Sequence, residues 1–188
     1  MNKTVTSCPQ TGRAQTMRLV KMGSIVAISI VLVSLIHFPI FPAVAFLEYD
    51  PADISILIGT FTFGPAAGLL LTLVTSVIQG VTVSAGSGLY GIIMHILATG
   101  TLVLIAGSVY HYKKSKVSAV IGLVLGMIGM AAMMMAANLV ITPLFMGVTR
   151  DIVWDLMPFI VGFNLIKAGI NGAVTFVLYK RISGFLKK

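Results

Sequence analysis

Lys167 stands inside an apolar stretch, flanked by Phe163, Leu165, Ile166 and Ile170. A charge at the centre of a membrane helix costs about 2.5–3.5 kcal/mol on insertion scales, so such a residue marks a functional site by default. Asn164 precedes it by three positions and Asn171 follows it by four, spacings that put all three on one helical face. A polar stripe of this kind can glue helices together through hydrogen bonds. That role leaves the ammonium unexplained, because a buried charge wants a carboxylate or a polar ligand as its partner. Glu48, in an unusually apolar loop, is the best-placed carboxylate for the pairing. Asn138, four residues before Thr142-Pro143, offers both a donor and an acceptor. Those groups suit the edge of a planar heterocycle and suit an interhelical hydrogen bond equally well. Gln79, His95 and Thr99 are further candidates within apolar runs, each as readily a satisfied interior group as a ligand contact.

The same inventory argues against other chemistries. The three histidines are dispersed and Cys8 is the single cysteine, so neither a metal-ligand spacing nor an intrachain disulfide is expected. No nucleophile motif surrounds any serine. No GxxxxGK[ST] loop for ATP phosphates occurs in the chain. Neither catalytic residues nor a cofactor are expected. The run Met133-Met134-Met135 covers three directions around a helix and reads as adaptable packing.

The elements that must position these residues are membrane helices. Of 188 residues, 57% are hydrophobic and 10% charged, against about 25% charged in ordinary soluble domains. One compact membrane domain is the economical reading. Apolar runs at 17–37, 66–83, 89–110, 117–141 and 158–179 fit spans of about 20 residues. Between the first two, Asp50-Pro51-Ala52-Asp53 carries helix-start signals, with Asp50 as a cap, Pro51 at the first position and Asp53 at the positive helix end. That helix stops at Gly64-Pro65. Twelve residues rise only about 18 Å, well short of a hydrocarbon core of about 30 Å. The preceding loop must therefore dip into the protein, and irregular backbone at that depth is tolerated where it lines a cavity. The loop 143–157 should carry Trp154 at the membrane interface.

Charge orients the whole. All five acids (Glu48, Asp50, Asp53, Asp151, Asp155) fall in two of the gaps, whereas eleven of the thirteen basic residues flank the other ends of the runs. Short loops rich in Lys and Arg stay cytoplasmic. The expectation is an all-α protein with six transmembrane helices, both termini inside and a ligand cavity near the outer face. A flexible cytoplasmic tail would cover 1–16 and the membrane domain 17–188. The net charge of +8 flanks apolar runs, so its partner is anionic membrane lipid and not nucleic acid. The apolar stretch 22–38 exceeds the usual signal-peptide core of about 7–15 residues and is read as an uncleaved span. Small residues recur at four-residue spacing, as at Gly23/Ala27 and Gly122/Gly126, which lets helices approach closely within the chain or with a partner.

At this point the residues resemble a known family. The stretch Phe46-Leu47-Glu48-Tyr49-Asp50-Pro51-Ala52-Asp53-Ile54, followed by Phe61-Thr62-Phe63-Gly64-Pro65, looks like the first outer loop and second helix of substrate-binding subunits of energy-coupling-factor transporters. The stretch from Phe163 through Asn164 and Lys167 to Asn171 is similar to the last helix of the riboflavin-specific members, and Asn138 with Thr142-Pro143 fits the same group. The resemblance implies a subunit that captures riboflavin as a transported ligand. It would work with a membrane coupling subunit and two cytoplasmic ATPases. Leu47, Glu48, Asn138, Asn164 and Lys167 would bind the ligand, with Gln79, His95, Thr99 and Asn171 as further contacts, and Gly23 and Ala27 would dock the coupling subunit. The same architecture for thiamine or biotin is the nearest alternative. An intramembrane enzyme and a proton-coupled carrier relying on Lys167 are the more distant ones.

Overall fold

The computed structural model describes residues 10–186 and is nearly all helical. Its helices are α1 (Gln10–Leu35), α2 (Ala52–Phe63), α3 (Pro65–Val81), α4 (Gly88–Tyr112), α5 (Lys116–Met146) and α6 (Arg150–Leu186). The loop between α1 and α2 holds two short strands, β1 (Phe38–Pro39) and β2 (Glu48–Tyr49), paired antiparallel with Phe38 opposite Tyr49. Four helices (α1, α4, α5 and α6) are long and apolar enough to cross a membrane, while α2 and α3 are shorter apolar helices.

Helix α2 is the axis of the bundle. It packs against α1, α3, α4 and α6, and ten of its twelve residues are buried. A helix that is apolar all round belongs in an interior, which accounts for its lack of amphipathic patterning. Gly64 closes it at φ 98°, a conformation that favours glycine; its N–H reaches the Thr60 carbonyl at 2.8 Å, and Pro65 opens α3 at once. The spaced glycines divide by role. A Cβ on Gly122 would sit 2.9 Å from the Ala106 carbonyl oxygen, and one on Gly126 would sit 3.0 Å from that of Leu102. These two glycines serve the α4–α5 contact inside the chain. A Cβ on Gly23 would meet nothing within 4 Å among the described residues, and both Gly23 and Ala27 lie on the exposed face of α1.

The loop is apolar because it is packed. Val44, Leu47 and Tyr49 form a buried cluster with Val153, Met157, Ile160 and Phe163 of α6. The far end of the bundle is basic: Arg18 of α1 reaches the Phe63 carbonyl at 3.3 Å, and Lys113, Lys114 and Lys116 lie at the α4–α5 turn.

Three boundaries differ from the sequence reading. Residues 10–16, expected as tail, are the start of α1, whereas Cys8 lies outside the described residues. Helix α5 does not stop at Ile141 but continues through Pro143 to Met146, where Gly147 at φ 67° caps it. Helix α6 begins at Arg150 and runs through Pro158, so most of the expected 143–157 loop is helical. Proline removes one ladder hydrogen bond, but membrane helices tolerate it where neighbouring groups satisfy the freed carbonyl.

Candidate functional site

A cavity opens beneath the α1–α2 loop, between the N-terminal end of α2 and helices α3, α4, α5 and α6. Its volume is about 90 Å³. Leu47 and Glu48 of the loop line it, as do Gln79 of α3, His95 of α4, and Asn164 and Lys167 of α6. Phe46, Tyr90, Met94, Met134 and Phe163 supply apolar surface.

The floor is a buried charge network. Lys167 Nζ donates to Asp50 Oδ2 at 2.8 Å, and both side chains are nearly inaccessible. Glu48 is therefore not the partner expected for Lys167; it pairs with His37 at 2.9 Å, and its side chain is 34% exposed. The backbone turn entering α2 explains the exchange. It folds the Asp50 carboxylate under the helix, where Oδ1 also accepts the Ala52 N–H at 3.1 Å. Burial alone would push the Asp50 carboxyl up. The Lys167 ammonium, then His95, and hydrogen bonds from Lys167 and Ala52 outweigh that and hold it below the usual carboxylate range.

Asp53, in the first turn of α2, is fully buried. It accepts the Thr99 hydroxyl at 2.6 Å and the Asn171 amide at 3.2 Å. Asn171 also donates to the Asp50 carbonyl at 3.0 Å and accepts the Tyr49 hydroxyl at 2.9 Å. His95 links the layers. Its Nδ1 lies 2.7 Å from Ser76 Oγ, and its Nε2 lies 3.8 Å from Asp53 and 4.0 Å from Asp50.

The sequence-predicted residues thus separate into two shells. Leu47, Glu48, Gln79, His95, Asn164 and Lys167 reach the cavity. Thr99 and Asn171 sit behind its floor, holding the carboxylates. Asn138 is spent within α5, donating to the Met134 carbonyl at 2.8 Å and accepting from Thr142, also at 2.8 Å. Its influence passes through Thr142 to Tyr90, whose hydroxyl lies 3.0 Å from that of Thr142. Gly23 and Ala27 are remote from the cavity, on the outer face of α1. Sequence reasoning took Asp50 only as a helix cap and Asp53 only as a dipole charge, and it missed Ser76, Ser84, Tyr90 and His37. Two acids three residues apart at the start of a buried helix were the available signal.

Gln79 keeps unused capacity. Among the described residues its Nε2 makes only long contacts, to Asp50 (3.4 Å) and Ser84 (3.5 Å), and its buried Oε1 has no hydrogen-bond partner. With the ammonium and the Asn164 amide, the cavity thus presents donors and acceptors beside an apolar wall, which suits a ligand with a polar edge and an apolar face.

Comparison with known proteins decides the family. The sequence profile described as ECF transporter, substrate-specific component, matches residues 17–179. The chain belongs to this family. Its relatives include the riboflavin transporter RibU of Staphylococcus aureus (strain TCH60), 33% identical over 93% of this chain and 94% of that one. RibU of Lactococcus lactis subsp. cremoris (strain NZ9000) is 29% identical over 66% of this chain and 62% of its own. Among solved structures, the S component of a bacterial ECF transporter superposes with a TM-score of 0.79 at 32% identity, covering 93% of this chain and 99% of that one.

Proposed function

We propose that the chain is the riboflavin-capturing subunit of an ECF-type importer. The observation that carries the reading is the near full-length similarity to RibU of Staphylococcus aureus, supported by a cavity whose polar groups stand against an apolar wall. Asn164 and Lys167 would meet the polar edge of the flavin ring, Gln79 and His95 its remaining hydroxyl or carbonyl groups, and Leu47 and Phe163 its faces. Asn138, Thr99 and Asn171 would keep those groups in place from behind. The subunit binds and releases; no reaction on the ligand is assigned to it.

The cavity is smaller than the roughly 300–1,000 Å³ of ordinary small-molecule sites, so a tricyclic ligand would enter by displacing the loop around Leu47. The stretch around Val44 and Leu47 is suited to that motion because it meets α6 through apolar packing and the Glu48–His37 pair is partly exposed, while Tyr49 and Asp50 stay tied to Asn171 and Lys167. All six helices would lie in the membrane, with the basic end and both termini cytoplasmic and the loop outside. The energy would come from a membrane coupling subunit and two ATPase subunits, with Gly23 and Ala27 as the docking face on α1.

Titration of the purified protein with riboflavin, thiamine and biotin tests the reading. Saturable binding of riboflavin alone is expected. Tight binding of thiamine or biotin without riboflavin would overturn it. The docking face is tested by Ala27→Trp, which should still bind riboflavin yet lose the coupling subunit in pull-down. Equal loss of both would assign Ala27 to the fold.

A further inference from the structure

A second hollow lies between α5 and α6 toward the basic end, and it shares no lining residue with the cavity. It is an apolar groove of about 300 Å³, walled by Val120, Val124 and Met127 of α5 and by Gly169, Gly172 and Ala173 of α6. The two glycines give it depth. A Cβ on Gly172 would reach the Leu123 side chain at 3.6 Å and one on Gly169 would reach Met127 Sδ at 3.8 Å, ordinary contact distances in a trough that the missing side chains leave open. Both walls belong to helices long and apolar enough to cross a membrane. An acyl chain therefore matches the groove in chemistry and in direction.

The end of the groove carries charge. Lys116 lies one turn before Val120 on the same face of α5, and it is exposed. Lys113 and Lys114 lie in the adjoining turn, and Arg181 is exposed at the same end of α6. We infer that the α5–α6 groove is a binding site for an anionic phospholipid, one acyl chain lying along Gly169 and Gly172 and the phosphate headgroup held by Lys116 at the basic end. Lysine and arginine bind phosphate through charge-assisted hydrogen bonds, and each basic group near an anionic lipid surface strengthens attraction about fivefold. The site is separate from the cavity, so it stands whether or not that cavity takes riboflavin.

The test uses the full chain in nanodiscs of phosphatidylcholine doped with phosphatidylglycerol that carries a photoreactive group in its acyl chain. Adducts are mapped by mass spectrometry, and a matched phosphatidylcholine probe serves as control. Adducts should concentrate on residues 120–127 and 168–176, with the anionic probe favoured about fivefold or more. Lys116→Gln should bring the anionic probe down to the level of the neutral one. Ala173→Phe, at an exposed wall position, should remove groove adducts of both probes. Equal labelling by the two probes, adducts insensitive to Ala173→Phe, or adducts elsewhere on the surface would overturn the assignment. So would loss of all groove labelling on addition of the coupling subunit, which would give the face to that partner.

Discussion

The two ends of α2 sit in opposite surroundings. At its start, Asp50 and Asp53 meet Lys167, His95, Thr99 and Asn171, and Asp50, His95 and Lys167 line a cavity. At its other end, Phe61 is boxed by Tyr110 and Tyr179, with ring centroids 4.7 and 5.4 Å away. The tyrosine hydroxyls lie 3.0 Å from each other, and that of Tyr179 reaches the Phe61 carbonyl at 3.5 Å. Ion pairs and hydrogen bonds beside a cavity can be handed over to an incoming polar ligand, whereas the tyrosine hydroxyls of the aromatic end bond to each other and to the helix among interlocked rings. On the proposed reading the polar end is the working end, and the aromatic end serves packing.

The largest effects should come from each end in turn, with different readouts. Asp50→Ala leaves the Lys167 ammonium buried without its carboxylate, a change that costs about 3–5 kcal/mol. Thermal unfolding should show that loss, and riboflavin affinity should fall with it. Asp50→Asn combined with Lys167→Met should be more stable than Asp50→Ala, since the uncompensated charge is gone. Phe61→Ala should cost a similar amount, about 3–5 kcal/mol, from the cavity it creates. Among molecules that remain folded, riboflavin affinity should be unchanged. Affinity lost in proportion to stability at Phe61 would erase the distinction between the ends.

A smaller effect sharpens the charge assignment. Glu48→Gln removes a partly exposed pair with His37, and such pairs contribute about 0–1 kcal/mol. A melting shift as large as that of Asp50→Ala would mean that Glu48 is the true partner of Lys167.

The pattern of these residues explains what a sequence reader could and could not see. Lys167, Asn164 and Asn171 were legible because polar groups at helical spacing in an apolar run have few innocent explanations. The short second helix was legible from Asp50-Pro51 and Gly64-Pro65. The choice between Glu48 and Asp50 was not, because it depends on how the loop turns into α2. The roles of Asn138 and Thr99 were hidden for another reason. Helices α4 and α5 are apolar on nearly every side, so no stripe tells which face meets the cavity. The ends of α5 and α6 were misplaced because Pro143 and Pro158 read as stops in a soluble protein but not in membrane helices.

The central claim is that a flavin binds at the polar end and that the aromatic end takes no part. Riboflavin titration of Asn164→Ala and Tyr179→Phe, side by side with the unmodified chain, tests it most directly. Asn164 lines the cavity, and removing a buried polar contact typically costs about 1–3 kcal/mol, or roughly 5–150-fold in Kd. Tyr179→Phe keeps the ring and gives up hydrogen bonds worth about 0.5–1.5 kcal/mol of stability, so its melting temperature should drop slightly while its Kd stays at the unmodified value. Weaker binding at Asn164 alone is the predicted result. An unchanged Kd for Asn164→Ala, or an equal rise in both variants, would contradict the account.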